Sequence, residues 1–350
     1  MQKQLKSLLF GITFLCWLVG LQAQDIHFSQ FYMSPLNLNP AMTGVMNCNV
    51  RVSGIYRSQW SSILRSNAYS TYSVSYDQRI PVGRYDYFGV GGTFWGDKAG
   101  ESQFATIQGK LSGSFSKKMG GYRSRANYLV FGAEVGLSQR SLDFLALRYG
   151  LQHNGDGGFD PGLPSFESFN RDNYLFMDVS AGVLWFSTFD EDNNVYVGGS
   201  FSHLNGPNQS FNKEKFEKLY SKYTIHAGGE FMVSDRFGFV PGIVGFKQGP
   251  SFELNGGTSA KVVLSNRNNS YQAVLFGIWM RLANRYSGGI LADAAILNAR
   301  FDYENFNIGF SYDMNVSSLR PASNGFGAFE FAMTYKFCGP EKRNVYCPSF

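Results

Sequence analysis

From about residue 50 onward, apolar and polar side chains alternate with a period of two in one segment after another. The clearest case is 104–115, where Ala105, Ile107, Gly109, Leu111, Gly113 and Phe115 alternate with Thr106, Gln108, Lys110, Ser112 and Ser114. Successive side chains of a strand face opposite sides, so this segment is a strand with one oily and one polar face. The same pattern recurs in 68–78, with Tyr72, Val74 and Tyr76 opposing Ser73, Ser75 and Asp77, and again in 128–138, 223–233 and 306–313. Weaker alternation predicts strands over 50–57, 86–95, 177–187, 195–203, 238–246, 252–263, 271–281, 287–297 and 327–337. That makes about fourteen strands, with 142–149 as an extension or a fifteenth.

A soluble β-sandwich also alternates, but its polar face is solvated and normally charged. Here the polar sides are rich in Gly, Ser, Thr and Asn, with isolated Lys110, Glu134, Glu230, Glu253 and Lys261. The apolar sides begin or end in aromatic residues, as at Tyr72, Tyr76, Trp185 and Phe337. An oily exterior with aromatic girdles around a polar interior is the signature of an outer-membrane barrel. Roughly 9–11 residues cross a bilayer as a tilted strand, and most of these segments are long enough. The predicted fold is an all-β, transmembrane, antiparallel up-and-down barrel of about 14 strands, with outer-membrane lipid against its outside.

Composition agrees. Charged residues are 16% of the 350, aromatics 17%, and there are 40 glycines. A coiled coil, an acidic tail or an ordinary helical enzyme has a different mix. The net charge of +5 comes from basic residues scattered singly, so nucleic acid is not an expected partner.

Residues 1–23 read as a signal peptide: Lys3 and Lys6, then an apolar run from Leu8 to Leu21, then Ala23 before the cut. The expected division of the chain is 1–23 leader, 24–47 a Pro- and Asn-rich segment, 48–337 barrel and 338–350 tail. Three cysteines follow the leader. Cys338 and Cys347 flank a short Gly- and Pro-containing stretch and are the expected disulfide, leaving Cys48 as a buried small residue. No cysteine has a partner at metal-ligand spacing, so neither metal nor cofactor is expected.

Enzyme chemistry finds little support. His27-Phe28-Ser29 and Ser202-His203 place a histidine near a serine, but no G-x-S-x-G elbow occurs and no third orienting group is evident. Gly89-Val90-Gly91-Gly92 is read as glycine relieving crowding inside a barrel rather than as a phosphate loop. Arg51, Glu134, Glu230, Glu253, Lys261, Asp293 and Glu330 are the expected lumen charges. Their mixed sign favours a blocked lumen over a selective pore.

The segment ahead of the first strand is the most distinctive. It contains Asp25-Ile26-His27-Phe28-Ser29-Gln30-Phe31-Tyr32 and Ser34-Pro35-Leu36-Asn37-Leu38-Asn39-Pro40-Ala41-Met42-Thr43-Gly44. With Tyr56-Arg57-Ser58-Gln59-Trp60, Ser202-His203-Leu204-Asn205-Gly206-Pro207-Asn208 and Ser311-Tyr312-Asp313, it resembles the PorP/SprF family of Bacteroidetes outer-membrane proteins. The resemblance implies a non-enzymatic barrel of type IX secretion or gliding motility. It also implies secretion components and a secreted surface protein as partners; the alternative is a passive channel for small solutes. Pro35 and Pro40 exclude a central strand, and Asn37 and Asn39 can satisfy backbone groups in a turn-rich segment. Phe28, Gln30, Phe31, Tyr32, Pro35, Asn37, Asn39 and Pro40 are therefore expected to form a plug in the lumen or across its periplasmic mouth, or else a periplasmic docking strand.

Overall fold

The computed structural model describes residues 25–339 and 347, apart from 122–124, 154, 156–157, 161, 165–170, 191, 268–269 and 285–287. The expected leader lies outside the described residues, as does most of the tail. Fourteen antiparallel strands close into one barrel, each paired with its sequence neighbours and the first with the last. They are β1 (Val50–Gln59), β2 (Tyr69–Val82), β3 (Asp86–Ala99), β4 (Phe104–Gly120), β5 (Ala126–Ser141), β6 (Asn173–Thr188) and β7 (Asn194–Ser202). The circuit continues with β8 (Lys222–Ser234), β9 (Phe237–Gln248), β10 (Ser251–Arg267), β11 (Ser270–Asn284), β12 (Ile290–Tyr303), β13 (Phe306–Asn315) and β14 (Phe326–Phe337). The stretch 142–149 is no fifteenth strand. Asp143 accepts from the Leu145 N–H and starts a single 3₁₀ turn, Phe144–Ala146.

The alternation sorts inside from outside as expected. In β4, Ile107 and Leu111 stand exposed while Thr106, Gln108 and Ser114 are buried. In β8, Ile225 and Val233 point out while Thr224, His226 and Glu230 point in. Aromatic side chains gather near the strand ends, as in Phe88 with Phe115, Tyr335 with Phe337, and Phe201 stacked on Tyr223. Such rings suit the two interfaces of a bilayer.

The four connections longer than five residues, 60–68, 142–172, 203–221 and 316–325, all lie on one rim. The opposite rim has only connections of two to five residues. Short turns face the periplasm and long loops the outside in such barrels, which orients the loop rim toward the cell surface.

The expected Cys338–Cys347 bridge is corrected: the disulfide joins Cys48 to Cys338. Cys48 stands just before β1 and Cys338 just after β14. Those two strands pair from Val50↔Phe337 onward, so closing the barrel brings the two cysteines together. Cys347 is the buried free thiol instead, beside the Tyr87 hydroxyl.

Candidate functional site: the occupied lumen

Residues 25–47 lie inside the barrel. They run from the loop rim, where the Asp25 backbone N–H donates to Gln248, down to the turn rim, where Arg79 donates to the Met46 carbonyl. Prolines deny this segment a regular strand. It descends as short turns instead, Phe31–Met33, Pro35–Leu38 and Pro40–Met42, with Pro35 and Pro40 each opening a turn at a position that needs no N–H.

Near the loop rim the contacts are ionic. Ser29 donates to Asp313 at 2.8 Å, and the Ser29 and Gln30 backbone N–H groups donate to the two oxygens of Glu330. Arg57 bridges both acids, at 2.5 Å from Glu330 and 3.1 Å from Asp313, and Arg281 adds a contact of 2.7 Å to Asp313. Each acid buried here therefore has a guanidinium and a donor from the 25–47 segment, the condition under which buried charge is tolerated. Ser29 is thus held by acids and arginines, whereas His27 lies 3.6 Å from Glu253. No nucleophile–base pair forms from these two.

His203 fixes the top of the segment. Its Nδ1 lies 2.8 Å from Asp178 and its Nε2 2.6 Å from Asp25. With an acid at each nitrogen both must donate, so the ring is an imidazolium. Burial alone would lower its pKa, but the charges and hydrogen bonds of the two acids outweigh it and raise it to about 9. For Asp25 burial pulls upward, and the His203 charge and hydrogen bond, with Lys222 and Arg140, hold it well below the ordinary carboxylate value. Lys222 also donates to the Ile26 carbonyl.

Midway down, Asn39 does the work of a strand partner. Its amide donates to the Val183 and Gly199 carbonyls and lies 3.0 Å from His226 Nε2, while its oxygen accepts from Ala41. Asn37 donates to Ser73 and Ser34, and Tyr32 accepts from Asn298. Phe31 packs edge-on against Trp279, and Phe28 sits with Met33, Ile55 and Ala332. Gln30 is buried with its side-chain amide facing Gly309, and no partner for that amide occurs among the described residues.

Lower still, the inner wall is apolar. Leu38, Ala41, Met42 and Val45 pack on Tyr128, Val130, Leu184 and Phe186, while Arg51 pairs with Asp77 and donates to the Met42 carbonyl. The wall has glycine where the segment presses hardest. A Cβ on Gly132 would sit 2.5 Å from the Ala41 Cα, one on Gly89 would overlap the Thr43 carbonyl, and one on Gly182 would overlap Asn39. Beside the top of the segment lies a cavity of about 240 Å³, lined in part by Asp25, Arg57, Trp95, Asp97 and Arg140.

The structure brings all eight of the expected residues, Phe28 to Pro40, into the lumen. Of the expected lumen charges, Glu134 pairs with Lys110, Glu230 with Lys261 and Asp293 with Arg281. Sequence reasoning did not assemble the Arg57–Arg281–Asp313–Glu330 cluster or the Asp25–His203–Asp178 bridge. The available signal was register: each strand member of the cluster sits on the inward phase of a strand whose other phase is apolar.

The family model described as "Type IX secretion system membrane protein PorP/SprF" matches residues 20–335. No curated protein matches the chain. Among solved structures, the Ralstonia pickettii toluene transporter TbuX is 10% identical, covering 87% of this chain and 94% of that one, with a TM-score of 0.43. A TodX monoaromatic hydrocarbon channel mutant is also 10% identical, covering 88% and 94%, with a TM-score of 0.43. A bacterial polysaccharide outer-membrane secretin is 9% identical, covering 83% and 99%, with a TM-score of 0.38. Likeness this distant says nothing about a substrate. A closed barrel with an oily exterior, matched by that family over nearly all its strands, is an outer-membrane protein, and the chain belongs to the PorP/SprF family of type IX secretion membrane proteins.

Proposed function

We propose that this barrel is a closed, non-enzymatic scaffold of type IX secretion and gliding motility. In this reading residues 25–47 are a resident plug. The barrel binds secretion components and helps to export or retain a secreted surface protein through its loop rim. One observation carries the reading: the lumen is filled by the chain's own segment, bonded to the wall at the loop rim, at mid-height and at the turn rim. A passive solute channel needs an open path, and here the path is taken by side chains such as Leu36, Ala41 and Val45, each no more than 1% exposed.

The test joins two measurements on the full-length protein. In planar bilayers it should show no steady conductance, and affinity capture from the native outer membrane should recover a type IX secretion component. A steady open pore would favour the channel, and a capture without any secretion component would overturn the scaffold.

A further inference from the structure

β6 has sixteen residues and its neighbour β7 only nine. Their pairing rises from Thr188↔Asn194 to Ala181↔Phe201 and stops, whereas β5 accompanies β6 all the way to Asn173. The upper part of β6 is therefore an edge strand within an otherwise closed barrel. β7 cannot continue beside it because His203 adopts a left-handed backbone, φ 59°, and turns to meet Asp25.

The backbone groups that face this gap follow from the strand period. The Val179 carbonyl accepts from the Leu204 N–H at 2.9 Å, and the Val179 N–H donates to Asn205 Oδ1 at 3.3 Å. Asn205 Nδ2 then donates to the Met177 carbonyl at 2.6 Å. Odd-numbered positions thus point across the gap, and the next in line are Leu175 and Asn173. No strand pairs with these two on that side among the described residues. The Asn205 amide bonds as a peptide unit would, donating to one residue and accepting from the next. It fills the first rung in place of a strand.

Exposed edges are normally blunted by Lys, Pro or short length. From Asn173 to Ser180, β6 contains neither residue, and Leu175 and Met177 stand 71% and 53% exposed beside the edge. Beyond Leu204 and Asn205, the described residues of the loop that follows β7 do not pair with the edge. They pack on the inner face instead, where the Tyr174 hydroxyl donates to the Gln209 carbonyl and Phe211 meets Tyr174 edge-on.

We propose that the edge of β6 from Asn173 to Met177 is a docking site for an extended segment of a secreted partner, which adds as a strand in the place where β7 stops. Main-chain hydrogen bonds would hold it, with apolar side chains at alternate positions lying beside Leu175 and Met177. That the occupant is a secreted protein rests on the function proposed above; the edge itself does not.

The test uses full-length protein in detergent and a fluorescent peptide of alternating Thr and Val, compared with the same peptide N-methylated at every second amide. Leu175→Pro deletes an N–H that points into the gap and leaves pairing with β5 in place. Leu175→Ala is the control. Saturable binding is expected, weakened about tenfold or more by N-methylation and by Leu175→Pro but little by Leu175→Ala. Hydrogen exchange on the unmodified protein supplies an independent reading: the Leu175 and Met177 amides should exchange fast alone and slow with peptide. Equal binding of the N-methylated peptide, no saturable binding, or unchanged exchange would overturn the site. A failed capture of secretion components would leave this result standing, because the peptide assay needs no secretion machinery.

Discussion

The guanidinium of Arg57 on the first strand lies 2.5 Å from the carboxylate of Glu330 on the last, and the same carboxylate accepts from the backbone of Ser29. One ion pair therefore ties together the seam of the barrel and the segment within it. Asp313 repeats the arrangement one strand further on, with Ser29, Arg57 and Arg281 around it.

Deleting Asp313 takes one carboxylate partner from each of two buried arginines, leaving Arg57 with Glu330 and Arg281 with the half-exposed Asp293. Asp313→Ala is expected to cost about 3–5 kcal/mol, as breaking a buried pair from one side does. Denaturant unfolding of the refolded barrel would measure it. In planar bilayers the same variant should show intermittent conductance as the upper segment loosens; a variant as stable and as silent as the parent would remove the cluster's anchoring role.

Gly132→Ala tests the packing of the segment against the wall. The added methyl meets the Pro40–Ala41 backbone, which cannot swing aside as a flexible side chain would. Overpacking of this kind costs about 1–3 kcal/mol. Gly109→Ala, where a Cβ meets nothing within 4 Å, is the matched control and should be near neutral. Limited proteolysis should release the 25–47 segment faster in the first variant only.

Alkylation and intact mass will read the disulfide. Among Cys48, Cys338 and Cys347, denatured but unreduced protein should accept one label, at Cys347, and two more after reduction. Cys338→Ser is expected to lower stability by about 2–4 kcal/mol, because it unlinks two ends of the chain that are far apart in sequence. Cys347→Ser should leave the cross-link intact.

The His203 bridge makes a pH prediction whose sign follows from its two partners. His203 is raised from 6.5 to about 9, so its contribution is complete below 6.5 and is lost as pH climbs through 9. Asp25 is lowered from 3.8, so its contribution is present above that value and fades as pH falls below it. The top of the segment should be held best between these limits. Divided by the intrinsic base-catalysed rate, hydrogen exchange at Asp25, whose N–H donates to Gln248, should show an added acceleration above about pH 9, and His203→Ala should remove that added step.

The strands were legible because lipid outside and polar groups inside force a period of two, and β2, β4, β8 and β13 display it plainly. The lower halves of β5 and β6 display it less, since Tyr128, Val130, Leu184 and Phe186 face Leu38, Ala41, Met42 and Val45 rather than polar side chains. The disulfide was misread because proximity in sequence was weighed and closure of the sheet was not. The segment 25–47 announced itself through its prolines and asparagines, yet its anchors are spread over β1, β2, β6 to β9, β11 to β14 and the 203–221 loop. Only the closed barrel makes those places neighbours.

A chain that descends through its own lumen before becoming β1 imposes an order on its biogenesis. The sheet has to roll up around a wick already in place, with Asp25 delivered to the side facing the outside world. Anything joined to Asp25 when the last strand meets the first has to reach that side too. A bulky protein grafted just ahead of Asp25 should accordingly either appear on the surface of living cells or leave the sheet unable to shut.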